Sequence, residues 1–213
     1  MDIGGSSPSG LSQAAVEALI GAYPINILSQ GLGERLYCQR PANQMSVGAL
    51  SVLQNTLYAL PIWIPRGITI NQLSSKVTAL WAGGTFYLAL YKNSGVGTVY
   101  PGARVAVSAA LDGASTGWKG HAISPAVALD AGQYWFGFNC SNTANQFSAV
   151  ASASNNDWSL PVGFNKTEYD AGTPWRTQIY VAMVFAQPPD PFPAGAAPVQ
   201  ATSVPLIAYR RSA

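Results

Sequence analysis

Between Ile68 and Ser141 the chain carries two apolar strand patterns separated by a Gly/Pro-rich excursion, and this stretch restricts the fold more than any other. In Thr85–Phe86–Tyr87–Leu88–Ala89–Leu90–Tyr91–Lys92 the side chains alternate. Phe86, Leu88 and Leu90 fall on one face, and Tyr87, Ala89 and Tyr91 on the other. That period of two, rich in aromatics and bounded by Gly83–Gly84 and Asn93–Ser94–Gly95, predicts a strand. Leu129–Asp130–Ala131–Gly132 then supplies a turn, after which Tyr134–Trp135–Phe136–Gly137–Phe138 is apolar on both faces. A strand apolar on both faces needs cover on both, which places it inside a two-layer structure.

Further strand patterns surround this pair. They run over Glu34–Gln39, Thr56–Ile64, Ile68–Gln72, Ser75–Trp81, Arg104–Leu111, Gly117–Ile123, Val127–Leu129, Gln133–Cys140, Phe147–Ala151 and Gln178–Gln187. Pro61 and Pro65 make Thr56–Ile64 read as an edge strand, because proline cannot donate to a ladder. Pro101–Gly102 after Tyr100 marks a turn. Trp81 and Trp135 lie within strand patterns and are expected in the core. Ser152–Thr177 is polar, dotted with aromatics, and reads as a long loop or a surface hairpin. Short strands with turns between them predict an all-β fold, an antiparallel β-sandwich of jelly-roll type over residues 34–187.

Both ends read as arms. Residues 1–33 form an N-terminal anchoring arm. Met1–Gly10 is Gly/Ser/Pro-rich and cannot fold alone. A short helix is expected over about residues 11–20, with Ser12 as cap and Gly21 as terminator. Leu11, Ala15, Ala18 and Leu19 share one face of it. So short a helix needs a partner, either its own domain or copies of itself. Residues 188–213 form a C-terminal arm. PPDPFPAGAAPVQ reads as an extended, polyproline-like segment. The strand pattern that follows, with Leu206, Ile207 and Tyr209, would pair onto the same sandwich or onto a neighbour's sheet.

The order ITINQL…FYLALYKNSG…YPGARV…LDAGQYWFGF resembles the β-sandwich modules of tailed-phage virion appendages, namely fibres, spikes and head-decoration proteins. The likeness covers roughly Ile68–Asn139, about a third of the chain. In that family an aliphatic strand precedes an LALY(K/R)xxxG strand, a YPG loop and an LxAGxYW strand. GLSQAAVEALI likewise resembles the short helix before the head of trimeric phage fibres. The resemblance implies a non-enzymatic virion protein, a homotrimer attached to other head or tail proteins and made in the host cytoplasm. The alternative it leaves open is a lectin-like module that recognises a host surface glycan.

Composition bears on both. Charged residues are 9% of the 213 and hydrophobic residues 48%, against about 25% charged in ordinary soluble domains. A chain with so little charge either carries an uncharged polar surface or buries much of its surface against other subunits. The net charge is +2, with no basic stripe for nucleic acid. One histidine, His121, and two cysteines, Cys38 and Cys140, are too few for a His- or Cys-based metal centre. The cysteines read as two buried thiols or one disulfide. A calcium site built from loop oxygens has no visible motif. There is no secretory signal pattern and no membrane-spanning run. Glu168 and Asp170 are the one close carboxylate pair, on a loop that does not fix a hydrolytic geometry. No nucleophile motif accompanies His121, and no cofactor motif is present. Binding residues are easier to name. Trp118, Trp158, Tyr169 and Trp175 lie in polar loops, where aromatics stack on sugars or anchor protein contacts. Leu11, Ala15, Ala18, Leu19, Leu206, Ile207 and Tyr209 are the expected assembly contacts.

Overall fold

The computed structural model describes residues 27–28, 36–38, 46–64, 66–95, 100–151, 178–199 and 203–212. All regular structure among them is β, in two sheets whose strand pairs are all antiparallel. One sheet has eight strands: β1 (Ile27–Leu28), β2 (Leu36–Cys38), β3 (Ser46–Ser51), β5 (Ile68–Ala79), β9 (Gly117–Leu129), β11 (Gln146–Ala151), β14 (Ser203–Pro205) and β15 (Ile207–Arg211). The other has seven: β4 (Thr56–Ile64), β6 (Thr85–Asn93), β7 (Pro101–Val107), β8 (Leu111–Asp112), β10 (Gly132–Cys140), β12 (Gln178–Ala182) and β13 (Ala197–Val199).

In the eight-stranded sheet β5 is the hub. It takes β9 along one edge, and β15 and then β11 along the other. The order of the second sheet is β13-β12-β4-β10-β6-β7, with β8 also on β6. Between the sheets, the period-two residues of both inner faces meet. Leu60, Ile62, Leu88, Leu90 and Phe136 from one sheet pack with Ile70, Leu73, Val77, Ile207 and Tyr209 from the other. Phe86 and Phe138 come from the seven-stranded sheet and close edge-on around Phe147 of β11, with centroids 5.0 and 4.8 Å away. Such edge-to-face geometry opposes ring edges to ring faces and locks the two sheets together.

The outer face of the seven-stranded sheet is buried as well. Leu57, Ala59, Ala89, Tyr91, Trp135 and Ile179 form a second cluster, closed by Phe192 and Ala196. The cover is the Pro-rich stretch after β12. Its prolines have no N–H to offer, so its carbonyls become the acceptors. Tyr91 donates its hydroxyl to Pro189 O (3.0 Å), Tyr100 donates to Pro193 O (2.6 Å), and the Arg104 guanidinium donates to Pro188 O. Phe192 sits edge-on to both Tyr91 and Tyr100, at 5.3 and 5.9 Å. Burial pushes the Tyr91 phenol above its ordinary range, keeping it a donor. The two-faced apolar pattern at Tyr134–Phe138 thus has its explanation: one face meets the other sheet, and the second lies under this strap.

Several expectations change. Thr56–Ile64 is not an edge but lies between β10 and β12. Pro61 is tolerated there because the described part of β12 pairs only with Thr56–Ala59. Ile68–Gln72 and Ser75–Trp81 are one strand, β5, with a register shift near Asn71. Gly117–Ile123 and Val127–Leu129 likewise join as β9. Arg104–Leu111 divides into β7 and β8. The strand expected over Gln178–Gln187 stops at Ala182. Beyond it, Met183 N donates to Asn55 O and Phe185 N to Asn55 Oδ1. The Pro-rich stretch lies on the sheet rather than standing off as a spacer. The final strand takes an interior place between β5 and β2 of its own sheet. Cys140 is a buried free thiol, so no disulfide joins it to Cys38. The helix expected over residues 11–20 and the loop Ser152–Thr177 lie outside the described residues.

Candidate functional site

Four connections between the sheets gather at one end of the molecule. They are residues 52–55 (β3 to β4), 80–84 (β5 to β6), 113–116 (β8 to β9) and 141–145 (β10 to β11). Three of these loops are tied by one side chain. Asn145 is fully buried; its Nδ2 donates to Gly113 O (2.6 Å) and Ala79 O (3.5 Å), and its Oδ1 accepts from Asn142 Nδ2 (2.9 Å). Asn142 in turn accepts the amides of Ala144 and Asn145, an Asx turn. The backbone continues the knot through Trp81 N to Gly113 O, Gly84 N to Trp81 O, and Gly113 N to Gly84 O. Gly84 has to be glycine, since a Cβ there would lie 2.9 Å from Trp81 O, a backbone atom that cannot swing aside.

These loops hold large apolar groups outward. Trp81 is 54% exposed, Leu53 57% and Leu80 51%. Beside them Trp118, second residue of β9 and paired with Lys76, is 44% exposed. Tyr180 and Val184 lie on the β12 side of the same end, where Val184 reaches 80%. Six of the seven exposed large hydrophobics among the described residues are therefore at this end, and Trp63 is at the other. A surface of this kind, fixed by buried hydrogen bonds, marks an interaction site more often than chance. Its ion pair is internal: Lys119 Nζ lies 3.1 Å from Asp112 Oδ2. Hydrogen bonds from the Ser115 hydroxyl, the Ala114 amide and Lys119 hold the Asp112 carboxyl down to about 2.

Of the expected contact residues, Trp118 is on this surface. Trp158, Tyr169 and Trp175, and Leu11, Ala15, Ala18 and Leu19, lie outside the described residues. Leu206, Ile207 and Tyr209 are buried in the chain's own core, which accounts for their apolar pattern without a second copy. Trp135 is core as expected, its indole N–H donating to Asn93 Oδ1 (3.0 Å). Trp81 is not core, because β5 ends at Ala79 and the chain turns through Gly83 at φ 75°. The Gly83–Gly84 pair, one residue beyond it after Ala82, is the signal that places it at a turn. Leu53 and Leu80 carry no comparable local signal.

Among the described residues, no group of three or more His, Cys, Asp or Glu gathers to hold a metal ion. Burial and desolvation raise the pKa of the Cys140 thiol, opposite to what a reactive thiolate needs. No helix among the described residues is long and apolar enough to cross a membrane. What this end of the molecule offers chemically is exposed apolar and aromatic surface. Compared with protein-family models and with curated proteins, the sequence matches none.

Proposed function

We propose that the protein is a non-enzymatic structural subunit of a tailed-phage virion. It acts as a self-associating, trimeric fibre, spike or decoration element on head or tail, assembled in the host cytoplasm. Its two sheets are read as a jelly-roll-like sandwich, with residues 1–33 as the anchor. The observation that carries this reading is the rigid, apolar crossover end on a chain with only 9% charged residues. A body so poor in charge gains by covering such a surface in an assembly. The resemblance of residues 68–139 to virion appendage modules supplies the setting. Cryo-electron microscopy of the phage particle, with mass spectrometry of its purified proteins, tests the reading. The chain should occur in fixed copy number at symmetric positions, and its absence from purified particles would refute the proposal.

A second reading, carbohydrate recognition, draws on the exposed Trp63 and Trp118, since exposed aromatic rings stack on sugars. Glycan-array binding abolished by Trp63→Ala or Trp118→Ala would favour it over a purely structural role.

A further inference from the structure

We propose that the crossover end is the surface through which copies of this chain meet, with that end of every copy turned inward to one symmetry axis. The inference rests on the self-associating reading above and names its interface.

Trp81 stands on a loop tied by backbone bonds to Gly113 and Gly84 and braced by the buried Asn145. Its backbone is therefore already in place, and docking would have to order the side chain alone. Aromatic anchors are the side chains that dominate interface energies. The six exposed large side chains are roughly half exposed. With about 150–200 Å² for each whole side chain they offer on the order of 500 Å² of apolar area. The polar loop atoms around them bring this toward the roughly 800 Å² per partner that a stable interface buries.

Charge then selects the partner. Near this end the carboxylate of Asp112 is already matched by Lys119, and Lys76 lies alongside Trp118. Among the described residues at this end there is no block of one sign to attract an oppositely charged protein. The opposite end, where β4 leads to β5 and β9 turns into β10, exposes Arg66, Lys92 and Asp130. Stacking head to tail would press those charges against tryptophan and leucine and strip their water without compensation. Like end on like end instead sets apolar area against apolar area and leaves the charged ends in solvent. A second copy is thus the occupant that this distribution fits.

The test is native mass spectrometry of the full chain with charged substitutions at each end. Trp81→Asp and Val184→Asp at the crossover end should shift the oligomer to the 22.3 kDa monomer. Affinity should fall about thirtyfold or more for the tryptophan. Trp63→Asp at the opposite end should leave the oligomer intact. All three positions are exposed, so each variant should still unfold in one cooperative transition, lowered only by the stabilisation that the lost subunit contacts supplied. Val184 lies outside the loop knot and serves if Trp81→Asp disturbs the fold. An unsubstituted chain that is monomeric would overturn the self-associating reading and this inference together. An oligomer that survives both Trp81→Asp and Val184→Asp, or one that dissociates with Trp63→Asp alone, would overturn this inference and leave the reading standing.

Discussion

Phe192→Ala asks whether the Pro-rich strap is part of the folded core. The side chain is 4% exposed and wedged edge-on between Tyr91 and Tyr100. Truncation to Ala removes about 100–150 Å² of buried apolar surface, worth roughly 3 kcal/mol at about 25 cal/mol per Å². The two edge-to-face contacts add about 1 kcal/mol each, while partial collapse of the strap returns some of that. The net expectation is a loss of about 3 kcal/mol. At about 2–4 °C per kcal/mol for a chain of this size, Tm falls by roughly 6–12 °C. Urea denaturation followed by tryptophan fluorescence and calorimetry supply the two measurements. As a control, Tyr100→Phe keeps the ring but removes the hydroxyl that serves Pro193 O and the Ala196 amide, and should cost about 1–2 kcal/mol. A loss below about 1 kcal/mol for Phe192→Ala would refute the reasoning, because it would mean that the outer cluster is stable without its cover.

Three further outcomes are expected. Asn145→Ala leaves Gly113 O and Ala79 O without their amide donor and should cost about 2–3 kcal/mol; hydrogen exchange should then rise at the amides of Trp81, Gly84 and Gly113. Gly137→Ala places a Cβ 2.8 Å from the Tyr91 ring and 2.9 Å from the Ala89 methyl, so overpacking should lower stability by about 1–3 kcal/mol in urea titrations. The Asp112 carboxyl is held at about 2, below its ordinary 3.8, so its stabilising effect is present above about pH 4 and is lost as pH falls towards 2. The Tm gap between the parent and Asp112→Asn should narrow across that window, and a gap independent of pH would contradict the assignment.

The sequence was most informative where the physics is local. Alternation at Thr85–Lys92 and the turn at Asp130–Ala131–Gly132 specify strands and a reversal within a few residues, and β6 and β10 lie there. The two-faced apolar run at Tyr134–Phe138 announced cover on both sides. It did not say that the second cover would be the chain's own Pro-rich stretch, about sixty residues later, because hydroxyl donation from Tyr91 and Tyr100 to proline carbonyls leaves no periodic trace. Strand partners were equally hidden. Ile207 pairs with Ser75, far away in sequence, and a short apolar strand at the chain end reads alike whether it lies inside a sheet or reaches a neighbour. Prolines misled at Pro61, where what matters is how far β12 extends. The exposed apolar surface was half legible. Trp118 stood out by its polar surroundings, whereas Leu80 and Trp81 lie on a loop held by Asn145 and two glycines, and Leu53 on one held by its amide donating to the Tyr58 hydroxyl.

Sedimentation equilibrium of the unsubstituted full-length chain at micromolar concentration tests the central claim most directly. The account predicts a defined oligomer, a trimer in the proposed setting, at a multiple of 22.3 kDa that holds across a tenfold dilution. A single species at 22.3 kDa throughout would contradict it.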